Sequence, residues 1–244
     1  GGNLYGCGCV KSVLGRSLLR LEQANIRQWI PDMRFFGRTR IGLVLLSLFL
    51  LTGSPATHAW GWEAHKLVCA VAEKKLTPQA RKLVNRWLEN AADLEGGVLS
   101  FPDACLWPDK VKYGTRKSTY EHHFINVPDD AIRVDLNRDC AAADCIAIGI
   151  QRSLSYLSGE ASGDRAATRQ AAALRFLGHY IGDLHQPLHV GNASDWGGNK
   201  IRVNWLGKKT NLHALWDYEM PEKMNLRYPD SVLFLANIDV TSNG

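Results

Sequence analysis

Beyond residue 60, apolar residues recur at intervals of three and four. Leu67, Val68, Val71, Ala72 and Leu76 share one face of a 3.6-residue period, which predicts a helix from Trp62 to Leu76. Thr77-Pro78 reads as the next helix start, a hydroxyl cap followed by proline at the first helical position. That helix runs to about Asn90, with Ala80, Leu83, Val84, Trp87 and Leu88 inward. Ala91 to Lys117 reads as loop-rich. Cys145 to Leu157 is helical again, with Ile146, Ile150, Leu154 and Leu157 on one face. Asp164 is the predicted cap of a long helix through Leu184, which Pro187 stops. Ser194 to Asn199 (SDWGGN) is a turn. Lys200 to Trp205 alternates as a short strand, and Gly207-Lys208-Lys209 reads as a hairpin loop. Leu212 to Met220 begins another helix, and the tail PDSVLFLANIDVTSNG has no clear helical period. The predicted fold is all-α, a multi-helix domain with one small β-hairpin.

The N-terminal part obeys a different pattern. Residues 33–59 carry Arg34, Arg38 and Arg40, then the apolar run Ile41 to Leu51, then Thr57-His58-Ala59. A basic flank, an apolar stretch too short to span a bilayer and a small-x-small exit predict a signal peptide cleaved before Trp60. Residues 1–32 match no structural pattern and read as upstream sequence, so Cys7 and Cys9 are discounted as a metal or redox motif. Residues 60–244 are then the folded domain. Only 27 residues follow Asp217, and the domain reads as incomplete at its C-terminal end.

This division changes the meaning of the charge. The chain has a formal net charge of +5. Residues 1–59 hold seven Lys/Arg against two Asp/Glu, and the remaining 22 basic and 22 acidic side chains cancel. A basic surface is therefore no argument for nucleic acid binding. Four cysteines remain: Cys69, Cys105, Cys140 and Cys145. Their even number in an exported chain suggests two disulfides. Proximity favours Cys140–Cys145, which leaves Cys69–Cys105; four free buried thiols are the alternative.

The chemistry concentrates in GHYIGDLHQPLHVG, residues 178–191. His179 and Asp183 are i and i+4 on the long helix, so both project from one face and can hold one metal ion together. His189 lies beyond Pro187, where the chain has turned. His185 points elsewhere. A lone buried histidine more often bonds a carbonyl, but the pair recurs: His213 and Asp217, in NLHALWD, repeat the spacing among large apolar residues. Buried carboxylates are costly unless paired or metal-bound. Asp109 in WPDKVK and His123 in HFINVP add donors from loops. Signal cleavage would free the amine of Trp60, which with its carbonyl can chelate an ion, and His65 follows on the first helix. Trp60, His65, Asp109, His123, His179, Asp183, His189, His213 and Asp217 are too many donors for one tetrahedral ion. They suit three zinc ions, particularly with Asp183 bridging two.

In order along the chain, WGWEAH, WPDKVK, HFINVP, HYIGDLHQPLH, GGN and NLHALWD resemble the S-one/P-one type zinc nucleases of the phospholipase C/nuclease superfamily. The resemblance covers residues 60 to about 220. It implies that Asp109, His123, His179 and Asp183 hold one zinc, that His189, His213 and Asp217 hold a second, and that Trp60, His65 and Asp183 hold a third. It matches the disulfides Cys69–Cys105 and Cys140–Cys145. It implies a secreted or periplasmic enzyme that cleaves single-stranded DNA and RNA to 5′-mononucleotides and acts on 3′-nucleotides. No stable protein partner and no membrane anchor after cleavage are implied. Close zinc ions lower the pKa of water, supplying hydroxide for in-line attack at phosphorus. Lys112, with Asp109, is the catalytic candidate that would stabilise charge on the phosphoryl oxygens. Phe124 matches the family's base-stacking aromatic. Asn126 stands where the fungal enzymes carry an aspartate against the base, and unlike aspartate it can donate as well as accept. The family continues with further helices after the equivalent of Asp217, which would cover apolar faces here. A zinc phospholipase C and an inactive metal-binding relative are the alternatives. The former places the histidine after its N-terminal tryptophan further along and lacks the WPDxxK match.

Overall fold

The computed structural model describes residues 61–140, 144–159 and 165–238. The predicted leader, Trp60 and the predicted cap Asp164 lie outside the described residues. The described residues up to Asn237 form one unit.

Helices α1 (Trp62–Lys75) and α2 (Pro78–Glu89) form where the apolar period predicts them. Thr77 Oγ1 accepts from Ala80 N at 3.2 Å and caps α2. Leu83, expected inward, is 42% exposed; α2 buries the narrower stripe Val84 and Leu88. The stretch read as loop-rich contains two short helices, α3 (Phe101–Ala104) and α4 (Trp107–Val111). Each has proline in its first turn, where the missing N–H has no helical partner to lose. Helices of four and five residues are too short to display a 3.6-residue period, which is why the pattern reads as loop.

A 3-10 turn (Lys117–His123) leads into strand β1 (Ile125–Val127), then α5 (Leu136–Asp139), α6 (Ile146–Leu157) and the long α7 (Ala166–His185). The buried face of α6 is Ile146, Gly149 and Ser153, and Leu154, expected on that face, is 51% exposed. A Cβ on Gly149 would stand 2.8 Å from His122 Cβ and 2.8 Å from Tyr180 Cε2. Helix α6 therefore meets α7 on the side where its residues are small, not where they are most apolar.

Helix α7 runs through the core of this unit. Leu174 enters the cluster of Cys69, Val84, Leu88, Phe101 and Cys105. Ala171 and Ala172 enter that of Leu94, Trp107 and Val111, and Tyr180 that of Ile125, Cys140 and Ile146. A helix buried on several sides has its position fixed from several sides. The disulfides Cys69–Cys105 and Cys140–Cys145 are both formed.

After α7, a second 3-10 turn (Pro187–His189) runs into strand β2 (Val190–Asn192). Strand β2 pairs in parallel with β1, with Asn126 opposite Gly191. This ladder is absent from the sequence reading, because three-residue strands carry no visible alternation. Strands β3 (Arg202–Trp205) and β4 (Lys208–Asn211) form the antiparallel hairpin. Lys208 and Lys209 lie in β4 and not in the loop: Leu206 and Gly207, with φ of 49° and 85°, make a two-residue turn whose twist suits a hairpin. A short α8 (Leu212–Ala214), a π-helical turn (Leu215–Glu219), α9 (Met220–Lys223) and α10 (Val232–Ala236) complete the described chain. Helix α10 lies in the tail read as aperiodic. Its single turn buries Val232 and Ala236, with Val232 packing on Leu67 and Ala70 of α1. The architecture is mostly helical, as predicted. None of the described helices is long and apolar enough to cross a membrane.

Candidate metal centre

Eight of the nine ligands expected from sequence fall among the described residues, and the fold gathers them from seven elements. His65 comes from α1, Asp109 from α4, His123 from the end of the first 3-10 turn, and His179 and Asp183 from α7. His189 comes from the second 3-10 turn, His213 from α8 and Asp217 from the π-helical turn. Three groups have ligand atoms mutually within 4.8 Å: His65, His179 and Asp183; Asp109, His123 and His179; and His189, His213 and Asp217. His185 is exposed, its Nδ1 2.7 Å from Ile181 O, and takes no part.

The first two groups share His179 and form a tight cage. Asp109 Oδ1 lies 3.6 Å from His123 Nδ1 and 3.4 Å from His179 Nε2. Asp183 Oδ2 lies 2.9 Å from His123 Nδ1 and 3.1 Å from His179 Nε2. The two imidazole nitrogens are 3.0 Å apart. A tetrahedral ion with bonds of about 2.0–2.1 Å holds its ligand atoms about 3.3 Å from one another. The two nitrogens and either carboxylate oxygen therefore have edges close to those of such a tetrahedron, while Asp109 and Asp183 approach the nitrogen pair from different sides and fall in separate groups. Asp183 Oδ1 is buried without a hydrogen bond. It faces His65 Nε2 at 3.3 Å and His189 Nδ1 at 3.3 Å, so Asp183 turns one oxygen to each side.

Three of the histidines, His179, His189 and His213, are oriented through Nδ1. His179 Nδ1 lies 2.6 Å from Cys105 O, His189 Nδ1 2.8 Å from His123 O, and His213 Nδ1 2.7 Å from Gly197 O. Donation from Nδ1 to a carbonyl fixes the ring plane and turns Nε2 toward the place of an ion, where a metal would displace any proton on it. The carbonyl of Cys105 is held by the Cys69–Cys105 disulfide, and that of Gly197 by the SDWGGN turn. His213 Nε2 and Asp217 Oδ2, one helical turn apart, are 3.3 Å apart.

The electrostatics fit a cation. Burial opposes the charge on Asp109 and Asp183, yet the His179 imidazolium beside them holds both well below the usual carboxylate range. Burial also opposes the imidazolium of His179, but Asp183 and Asp109 outweigh it and push its pKa up to about 10. Burial lowers His123 to about 3 and His189 to about 4, so both are neutral and have lone pairs to give. The cage thus keeps two carboxylates ionised and takes up a positive charge at its centre. The donor set of imidazole and carboxylate, the short spacing of its ligand atoms and the Asp183 oxygen turned to each side all suit divalent metal ions.

The cages open on a cleft of about 640 Å3, lined by His123, His189 and His213 and by Lys112, Phe124 and Asn126. Lys112 is buried, with its Nζ 2.6 Å from Asp109 Oδ1. Burial disfavours its charge, but Asp109 overcomes this and raises its pKa. The family model described as S1/P1 Nuclease matches residues 60–242. The chain belongs to the S1/P1 Nuclease family. Endonuclease 2 of Arabidopsis thaliana is 38% identical over 189 residues, covering 74% of this chain and 62% of that protein. Nuclease S1 of Aspergillus oryzae is 31% identical over 194 residues, covering 78% and 64%. Nuclease P1 of Penicillium citrinum is 32% identical over 169 residues, covering 68% and 59%. The chain therefore spans about three-fifths of the length of these relatives.

This family member also places residues in the site that spacing alone misses. Trp196, 63% exposed, lines the cleft with Lys200 Nζ 4.2 Å from its ring centroid. Tyr113 and Tyr120 line it beside Phe124, the Tyr120 and Phe124 rings 5.9 Å apart. Gln186 is fully buried and donates to Asp217 Oδ1 at 2.7 Å. Gln186 sits within the histidine-rich stretch and Trp196 within SDWGGN, but only the folded chain brings them to the ligands and the cleft.

Proposed function

We propose that the protein is an exported phosphodiesterase that hydrolyses single-stranded DNA and RNA to 5′-mononucleotides, acts on 3′-nucleotides, and binds three zinc ions. The observation that carries this reading is the buried cluster in which Asp109 and Asp183 both lie against the facing nitrogens of His123 and His179, opening on a cleft with aromatic walls. These four residues would hold one zinc, His189, His213 and Asp217 a second, and His65, Asp183 and Trp60 a third. When bound, the ions would supply hydroxide at neutral pH and draw charge from the phosphoryl oxygens.

The chain's own side chains do the rest. Lys112 keeps its proton beside Asp109 and presents a cation to the phosphoryl oxygens, a contact that strengthens as charge develops there. Phe124 offers a ring face to an unstacked base, and Asn126 an amide to its edge. Bases in a duplex are not free to stack on such a ring, which favours single strands. Two disulfides support export to an oxidising compartment.

The test is an assay of the zinc-loaded protein on single-stranded DNA, RNA, a 3′-mononucleotide and phosphatidylcholine. Turnover of the first three and none of the lipid is expected. Lipid hydrolysis without nucleic acid cleavage would refute the proposal, and retained zinc without any turnover would mark an inactive binding protein.

A further inference from the structure

We propose that Gln186 is a positioning residue that fixes which oxygen of Asp217 faces the His189/His213/Asp217 metal site. This rests on the metal reading above and adds a residue to it.

Gln186 follows α7 directly and has no exposed surface. Its backbone N–H donates to Asp183 O at 3.0 Å, and its carbonyl accepts from His189 N at 3.0 Å. Its side-chain Oε1 accepts from Leu188 N, capping the 3-10 turn that carries His189. Its Nε2 donates to Asp217 Oδ1 at 2.7 Å, across 31 positions of sequence. One residue therefore binds three ligand-bearing segments together: the end of α7, the turn with His189 and the π-helical turn with Asp217.

The amide has only one workable orientation. Leu188 supplies an N–H, so the oxygen must face it; the amino group must then face the carboxylate. A flipped amide would set N–H against N–H and oxygen against oxygen. With Oδ1 engaged by Gln186, the oxygen that Asp217 turns toward His213 Nε2, at 3.3 Å, is Oδ2. The carboxylate is thereby held against rotation, and one oxygen is directed to the ion. A short capping side chain such as serine could accept from Leu188, but it could not reach Asp217 as well. Partners that orient a metal ligand are typically worth about 10–100-fold in metal affinity.

The experiment is a zinc titration against a competing chelator, with metal-free protein of wild type, Gln186→Met and Thr77→Ala. The methionine has similar length but neither amide group. Thr77→Ala removes a capping acceptor remote from the cages and sets the scale for lost stability alone. The expected result is that Gln186→Met binds one zinc equivalent about 10–100-fold more weakly. The other equivalents should titrate as in wild type, and the metal-free protein should lose no more thermal stability than Thr77→Ala. Unchanged affinity for every equivalent would overturn the proposal, as would equal weakening of all of them. A wild type that binds no zinc would overturn the metal reading itself, a different outcome. If Gln186→Met does not fold, the crystal structure of zinc-loaded wild type decides. Asp217 bound through Oδ2 with Gln186 on Oδ1 supports the proposal; Asp217 bound through both oxygens, with Gln186 turned away, refutes it.

Discussion

Lys112 is the side chain whose role depends most on its neighbours. It is buried, yet the Asp109 carboxylate keeps it charged, so it can serve a developing negative charge without first recruiting a proton. Removing one such preorganised donor typically costs about 10²–10³-fold in kcat. Lys112→Ala is expected to lower kcat on single-stranded DNA by that order with zinc content unchanged, read by steady-state kinetics beside metal analysis. A variant with undiminished kcat would assign Lys112 to packing. At this scale much of the site was legible. His179 with Asp183 and His213 with Asp217 are one helical turn apart, and that spacing is written in the sequence. Gln186 and Trp196 were not legible, because each acts on residues that only the fold brings near. Gln186 meets a carboxylate 31 positions away, and Trp196 reaches the cleft through a turn.

At the level of elements, the long helices followed their apolar period and the short ones did not. Helices α3, α4 and α10 have too few residues for a period, and β1 and β2 have too few for alternation. Helix α6 shows a different limit: its face was chosen by the room at Gly149, not by the apolarity of Leu154. Helix α7 makes a similar approach at Gly178. A Cβ there would stand 2.5 Å from Cys105 Sγ and 2.8 Å from Cys69 Sγ, both atoms of a buried disulfide. Neither sulfur can swing aside, so Gly178→Ala must push α7 off the disulfide. The expected loss of stability is about 1–3 kcal/mol, as for other overpacked sites, read by urea unfolding of the metal-free protein. Zinc affinity should fall with it, because His179 is the next residue and its ring is oriented by Cys105 O. Unchanged stability and affinity would mean that the helix and the disulfide are not in the contact described.

At the scale of the molecule, the helical frame gathers buried imidazoles and carboxylates into one cluster. His65 and His179 stack with ring centroids 3.8 Å apart, and Asp109 and Asp183 meet around the same nitrogens of His123 and His179. Burying such groups is costly unless they are paired or bound to metal. The sequence made the ligands visible through motif order and gave Asp183 a place at two ions, whereas which of its oxygens faces which histidines became visible only in the fold. The most direct test is anomalous X-ray scattering at the zinc edge from crystals of protein processed to begin at Trp60. Three peaks are expected: one within the cage of Asp109, His123, His179 and Asp183, one among His189, His213 and Asp217, and one beside His65 and Asp183. No peak in the cage, or zinc bound only by residues outside these nine, would contradict the metal centre and the proposed function with it.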